Sequence, residues 1–351
     1  MAAAESAHPL KPTVFLDQAL IPLRPWFENP DVVEILINGP GDVFIEILGA
    51  PAMQRHHVDR LGSDAIRNLA ERVAGWSDQS VNEETPLLSA ALPSGERFQA
   101  VLPPAAPNGG AIAIRKQVVK NLSIDDYARL GAFNRVSISR TGKISATDRG
   151  LNEMLAKGDI AAFLRQAVAQ RYSILISGGT STGKTTFLNA LLKLVPDTDR
   201  ILSIEDTREL FPPQPNYVPL VASKGGQGLS TATIQSLLEA SLRMRPDRIF
   251  LGELRGAEAW TFLRAVNTGH PGSLTTIHAD SPDMAYEQMM LMVLQANLGL
   301  KREEILAYTR AVLPVCIQLT RQGGWRGVSE IQFSKFRDVA APAGKCGSNP
   351  S

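Results

Sequence analysis

The sequence predicts an α/β protein built of two units, a mixed α+β unit over residues 1–120 and a parallel-sheet unit over 151–338. Three observations predict it. From residue 151 onward strand-like and helix-like runs alternate, the pattern of a parallel sheet with crossover helices. Before residue 120 at least five strand-like runs are interrupted by few helical ones, which suggests a sheet with helices on one face. The third is local: the apolar run Tyr172-Ser-Ile-Leu-Ile-Ser177 passes through a glycine-rich octet into Thr186-Phe-Leu-Asn-Ala-Leu-Leu192, whose apolar residues have helical spacing. A length of 351 residues suits two domains.

In order, Phe15–Phe27 reads as a helix whose regularity Pro22 and Pro25 limit. Val33–Ile37 and Val43–Ile47 read as strands around an Asn38-Gly-Pro-Gly41 turn, and Ser63–Val73 as a helix capped by its serine. Leu87–Leu92, Arg97–Leu102 and Ala111–Gln117 are further strand candidates. Residues 121–150 are polar and broken, with Arg135, Arg140, Lys143 and Arg149, and read as a linker with a solvated basic surface. Then come a helix (Asp159–Gln170), strands at Ile201–Ile204, Arg248–Leu251 and Ser273–Ile277, and helices at Ser230–Met244, Ala257–Val266, 282–296 and 302–312. Val315–Leu319 and Val328–Phe333 form a hairpin around Gly323-Gly324, and the Ala/Pro/Gly/Ser tail over 339–351 is expected to be disordered.

Composition is that of an ordinary globular protein, with 44% apolar and 20% charged residues. Thirty-six basic and 35 acidic side chains leave a formal charge of +1, which gives no argument for wholesale nucleic-acid binding. Cys316 and Cys346 are the only cysteines, so neither a disulfide framework nor a Cys-rich metal site can be built. The N-terminus shows no secretory pattern and no run of 18 apolar residues occurs; a soluble, cytoplasmic protein is expected.

The octet is Gly178-Gly179-Thr180-Ser181-Thr182-Gly183-Lys184-Thr185, which fills every fixed position of G-x-x-x-x-G-K-[ST] in the strand–loop–helix context the motif needs. Glycines let backbone N–H groups converge on an anion, and the helix presents its positive end to it. Lys184 would reach the β- and γ-phosphates, and the Thr185 hydroxyl would ligate Mg2+. Residues 178–185 together with Thr186 are therefore the expected ATP-binding set.

Three later segments suggest what is done with the nucleotide. Arg248-Ile-Phe-Leu-Gly-Glu253 is an apolar strand ending in a carboxylate, and in this sheet class ligands lie beyond the carboxyl ends of the strands. Glu253 there could organise Mg2+ through water and polarise the attacking water. Ile204-Glu-Asp-Thr-Arg208 is a second strand running into acids; Glu205 and Asp206 point to opposite faces, and Arg208 could pair with either. Thr268-Gly-His-Pro-Gly-Ser-Leu-Thr-Thr-Ile-His278 carries two histidines with no third ligand in a zinc pattern, and His278 could instead donate to a γ-phosphate oxygen.

These blocks, in this order, resemble the traffic (secretion) ATPases of the type II/IV secretion superfamily: a phosphate loop, an acidic box at 204–208, Met244-Arg-Pro-Asp-Arg-Ile-Phe-Leu-Gly-Glu-Leu-Arg-Gly256, and a histidine box at 268–279. The N-terminal segments Ile37-Asn-Gly-Pro-Gly41, Gly95-Glu-Arg97, Leu102-Pro-Pro104 and Ile112-Ala-Ile-Arg115 match as well, so the resemblance covers nearly the whole chain. Among branches it is nearest the VirB-type ATPases of type IV secretion. His270 and His278 stand eight positions apart, as in that branch and its conjugation and Flp-pilus relatives, and the four-cysteine module of type II motors is missing.

The resemblance implies a RecA-like C-terminal domain and a homohexameric ring, placed at the cytoplasmic face of the inner membrane through partners. Those partners would include a coupling protein and an inner-membrane channel ATPase. It implies that Glu253 is the catalytic carboxylate, Glu205 the acid near Mg2+, and His278 the histidine near the γ-phosphate. It also implies that Arg97 and Arg115 reach the phosphates from the N-terminal domain, a role that suits a permanently charged multiple donor. ATP binding would then close the two domains and phosphate release would part them, with residues 121–150 as hinge. Competing readings are a conjugation-type or tight-adherence pilus ATPase, a RecA-like nucleic-acid translocase, a GTPase, and a nucleotide-gated scaffold. The low aromatic content (6%) and near-neutral charge weigh against the translocase. The lack of an Asn-Lys-x-Asp segment weighs against the GTPase.

Overall fold

A computed structural model describes residues 13–117, 123–129, 131–136, 144–223 and 228–336. Along the chain the elements are α1 (Val14–Leu20), a 3-10 turn, α2 (Arg24–Glu28), β1 (Val32–Gly39), β2 (Asp42–Ile47), β3 (Gln54–His57), α3 (Ser63–Trp76), β4 (Leu87–Ala91), β5 (Arg97–Val101) and β6 (Ala111–Arg115). They continue as α4 (Ile124–Arg129), α5 (Ala146–Ala156), α6 (Ile160–Ala169), β7 (Ile174–Gly178), α7 (Lys184–Leu192), β8 (Ile201–Glu205), β9 (Tyr217–Val221), α8 (Ile234–Ser241), β10 (Arg248–Leu251) and α9 (Glu258–Asn267). The last are β11 (Leu274–Ile277), α10 (Pro282–Leu294), α11 (Arg302–Val312), β12 (Val315–Gln322) and β13 (Trp325–Phe333).

The residues group into two compact units. The first takes those up to 139 with Val195–Glu253 and Thr268–His270; the second takes 140–194, Leu254–Asn267 and everything from Pro271. The segment carrying β8, β9, α8 and β10 thus belongs with the N-terminal sheet, a grouping that periodicity does not reveal. Helix α5 runs through residue 150, where the sequence reading placed the end of a linker.

In the first unit six antiparallel strands lie in the order β3-β2-β1-β6-β5-β4. Strand alternation divides their side chains between two faces. Ile35, Ile37, Val43, Ile45, Phe98, Ala100, Ile112 and Ile114 share one core with Leu16, Leu23, Ile66, Leu69 and Val73 from the N-terminal helical segments. The helices therefore do cover one face. The other face carries Glu34, Asn38, Glu46, Arg97, Gln99 and Arg115, and parts of it are covered by polar groups from 195–253. Arg200, with no exposed surface, donates to Asn38 (2.6 Å), Asn216 (2.5 Å) and the Met244 carbonyl (2.9 Å). Arg245 grips Glu46 through two bonds of 2.8 and 2.5 Å, and donates to Asp247 at 2.7 Å. Burial pushes the Arg200 guanidinium down to about 9, against the pull of Glu34. Three parallel strands in the order β10-β8-β9 complete this unit.

In the second unit β11 and β12 flank β7 in parallel, and β13 closes the edge antiparallel to β12. Strand β7 is buried along its whole length, as a central parallel strand should be. Asp159 caps α6 by accepting the Ala162 N–H, an interaction that contributes about 1 kcal/mol.

Several local readings needed correction. The N-terminal helix is split into α1, a 3-10 turn and α2 because Pro22 and Pro25 each begin a new turn. Gly62, not Ser63, is the cap of α3 and makes no side-chain cap bond. Strands β3 and β9 went unread: Gln-Arg-His-His is an exposed edge with no apolar alternation, and β9 contains Pro219. The basic residues Arg140 and Lys143, and the tail over 339–351, lie outside the described residues.

Candidate functional site

The phosphate loop lies in the second unit. Strand β7 delivers the chain to Gly178, the loop turns with Ser181 (φ 59°) and Gly183 (φ 93°) in the left-handed region, and α7 begins at Lys184. Glycine suits position 183, since a side chain there costs about 1–2 kcal/mol. At Gly178 space decides instead: a Cβ would lie 2.6 Å from Thr182 Oγ1 and 2.7 Å from the Leu319 carbonyl oxygen. Thr182 ties the turn by donating to the Gly179 carbonyl at 3.0 Å.

Lys184 is buried, and its ammonium donates to the carbonyls of Gly178 (2.9 Å) and Gly179 (3.1 Å). It also stands 3.3 Å from His278 Nδ1, which accepts when the ammonium donates. His278 is exposed and follows β11, whose register with β7 pairs Ile277 with Ser177, so the two strand ends place histidine and lysine together. Beneath the loop, the Ser177 hydroxyl donates to Gln318, whose amide donates to the Ala279 carbonyl at 3.1 Å; this ties β7, β12 and the residue after His278. Thr180, Ser181 and Thr186 are exposed, while Gly179 and Thr185 are half-buried. The first-turn N–H groups of α7, the ammonium and the Thr185 hydroxyl make a donor set that fits a polyphosphate, in a turn tight enough to exclude a Cβ at Gly178.

The predicted acids lie in the first unit. Glu205 ends β8 and is 3% exposed; it accepts the N–H groups of Glu209 (2.7 Å) and Leu210 (3.0 Å). Burial pushes its carboxyl up to about 7 in spite of those two bonds. Gly252, after β10, donates to the Ile204 carbonyl, and a Cβ on it would meet Glu205 Cγ at 3.3 Å. Glu253 follows and is half-buried. Asp206 is half-buried. Arg208 donates to Asn108 at 3.2 Å and lies over the Phe211 ring, where the sequence suggested a partner among the adjacent acids.

Arg97 and Arg115 face each other across the β5–β6 ladder. Next in the same row stand Glu34 on β1 and Glu46 on β2. Like charges directly opposite one another are unfavourable unless an anion lies between them or nearby. Here Arg115 Nε stands 3.6 Å from Glu34 Oε1. A recess of about 410 Å3 lies over this row, lined by Glu34, Arg97, Gln99 and Arg115 together with Arg243 and Arg245. Sequence reasoning missed Glu34, Arg243 and Arg245 as lining residues. The signal for Glu34 was a charge inside the apolar run Val33–Ile37, and for Arg245 its place in the 244–256 block; no local pattern points to Arg243.

A strand–loop–helix phosphate cradle with an inward lysine defines a P-loop nucleotide-binding protein. Comparison with known proteins narrows the class. The family model described as type II/IV secretion system protein matches residues 18–331, and the chain belongs to that family. The chain is 40% identical to a type IV secretion system protein VirB11 of Bartonella henselae over 331 residues, covering 91% of this chain and 92% of that one. It is 36% identical to the VirB11 protein of Brucella suis, covering 90% and 89%. The crystal structure of the Brucella suis VirB11 ATPase, in complex with sulphate, superposes with a TM-score of 0.84 at 35% identity, covering 91% of this chain and 99% of that one. The fold is that of the RecA-like secretion ATPases, and the VirB-type branch suggested by the histidine spacing is the right one.

Proposed function

We propose that the chain hydrolyses ATP with Mg2+ and couples each cycle to export or assembly in a type IV secretion machine. The observation that carries this reading is the buried Lys184 ammonium inside the αL-turned loop, 3.3 Å from His278. In this reading Gly178–Thr186 hold the phosphates, and the Thr185 hydroxyl would hold a Mg2+ that neutralises phosphate charge. Glu253 polarises the attacking water and His278 donates to the terminal phosphate. Glu205 would help hold the metal while its turn bonds fix the loop after β8; a carboxylate has acceptor sites for both tasks. Arg97 and Arg115 contribute phosphate contacts, and their engagement and release with each cycle is the motion that does work.

The family and the VirB11 likeness support a place among other machine components, and we take the assembly to be a homohexamer. We assign the partners to a coupling protein and a channel ATPase at the cytoplasmic face of the inner membrane. Among the described residues no helix is long and apolar enough to cross a membrane. The test is phosphate release by purified protein with and without Mg2+. Lys184→Ala should abolish turnover, and Glu253→Gln should keep nucleotide binding while losing turnover. Wild-type rates in Glu253→Gln remove that residue from its role, and rates insensitive to metal chelation remove Mg2+. Native mass measurement with and without nucleotide reads the ring size.

A further inference from the structure

The row Glu46–Glu34–Arg115–Arg97 crosses four strands of the N-terminal sheet on the face that carries the arginine-rich recess. Glu34 is its unusual member. Only 4% of it is exposed, in the middle of a strand whose neighbours Ile35, Leu36 and Ile37 are completely buried. One carboxylate oxygen, Oε1, faces Arg115 at 3.6 Å, longer than a good charge-assisted hydrogen bond. The other, Oε2, is sealed from solvent and has no hydrogen-bond partner. A buried carboxylate satisfied on one side by a long contact is costly to keep ionised.

Burial, more than any neighbouring charge, sets the balance at this carboxyl. Arg115 on β6 and, from the 195–253 segment, Arg245 and Arg200 favour the carboxylate, while Glu46 on β2 opposes it. Arg97 and Arg243 complete the recess. Arg245 is already engaged by Glu46 and Asp247, and Arg200 by Asn38 and Asn216. Arg115, with its side chain 67% exposed, is the partner that can turn away.

We propose that Glu34 is a positioning residue: an internal counter-ion that holds the Arg115 guanidinium against the recess wall and competes with phosphate for it. This rests on the reading that Arg115 engages phosphate. When the guanidinium swings to a phosphate oxygen, Glu34 loses its nearest positive neighbour and binds a proton; when phosphate leaves, the proton is released and the ion pair re-forms. The balance is up to one proton taken from solvent per engagement, the full proton where Glu34 starts ionised. Burial already holds this carboxyl up at about 7, so the exchange falls in the neutral range.

The competition has the strength of one long ion pair whose arginine is largely exposed, about fivefold in apparent affinity. The experiment measures KM for ATP and kcat from pH 6 to 8.5 for the full-length wild type, Glu34→Gln, Glu34→Asp and Arg115→Ala, with unfolding curves confirming fold. Using one nucleotide throughout cancels its own titration from the comparison. Glu34→Gln should lower KM about fivefold above pH 7.5 and converge on the wild type at pH 6, with KM changing more than kcat; Glu34→Asp should keep the pH dependence. Calorimetry with a non-hydrolysable ATP analogue and Mg2+ at pH 7.5, in buffers of different ionisation enthalpy, should show proton uptake by wild type that Glu34→Gln lacks. If Arg115→Ala leaves KM unchanged, the phosphate reading fails and the inference with it. If Arg115→Ala raises KM while Glu34→Gln follows the wild-type profile, the counter-ion role alone is refuted. Wild-type binding without proton uptake refutes it whatever the variants do.

Discussion

Replacing Gly178 or Gly183 by alanine separates two reasons for glycine in the phosphate loop. At Gly178 a new Cβ would lie 2.7 Å from the Leu319 carbonyl oxygen and 3.3 Å from Leu319 Cβ, on the strand paired with Gly178 in register. Thr182 Oγ1, at 2.6 Å, is held by its bond to Gly179, and the Leu319 oxygen belongs to a buried strand, so neither yields cheaply. Overpacking of this kind costs about 1–3 kcal/mol. Parting β7 from β12 also shifts the two carbonyls that receive the Lys184 ammonium, and each charge-assisted bond lost or weakened costs about 1.5–3 kcal/mol more. At Gly183 no atom lies within 4 Å of the new Cβ, and only the φ of 93° resists, at about 1–2 kcal/mol. Since about 1.4 kcal/mol is tenfold in affinity, Gly178→Ala should weaken nucleotide binding about sixtyfold or more and Gly183→Ala about thirtyfold at most. Urea unfolding and fluorescent-nucleotide titration read both quantities. Equal stability and affinity for Gly178→Ala and wild type would refute the claim that close approach of β7 to β12 shapes the cradle.

Three other outcomes are expected. Arg200→Ala strands the Asn38 side-chain oxygen and the Met244 carbonyl in a site without exposure, while Asn216 keeps its bond from Asn38, and should cost about 2–5 kcal/mol in urea unfolding; a loss under 1 kcal/mol would show that the network is dispensable. Arg97→Ala and Arg115→Ala should each lower kcat/KM for ATP about tenfold or more with unfolding curves near wild type, and unchanged kinetics in both would remove the arginines from the phosphate site. Glu34 and Glu205 both have carboxyls raised from 4.5 to about 7, so between those values the folded state binds more protons than the unfolded one. Stability therefore falls as pH rises through that window, by at most about 3 kcal/mol for each group. Glu34→Gln and Glu205→Gln should flatten the stability profile between pH 4.5 and 7, and parallel profiles in wild type and both variants would contradict the burial argument.

The phosphate loop was legible from residues alone because its chemistry is local: an octet, a strand before it and a helix after it fix the backbone that presents N–H groups to an anion. The same holds for β1, β2, β10 and the β12–β13 hairpin, whose apolar runs and glycine turns are confined to a few residues. Strand β3 escaped because an exposed edge need not alternate, and β9 because Pro219 masked it.

Contacts between segments distant in the chain were decided only by the tertiary structure. His278 meets Lys184 because two parallel strands end side by side, a matter of register that no spacing encodes. Glu34 joins the row of Arg115 and Arg97 because β1 pairs with β6, a neighbour in the sheet though not in sequence. The packing of 195–253 with the N-terminal sheet depends on the buried Arg200, which reads as any surface arginine until Asn38 and Asn216 close around it. Sequence specifies what a short stretch of backbone can do by itself; which charges meet follows from how the chain folds back, because electrostatic partners are set by distance in space.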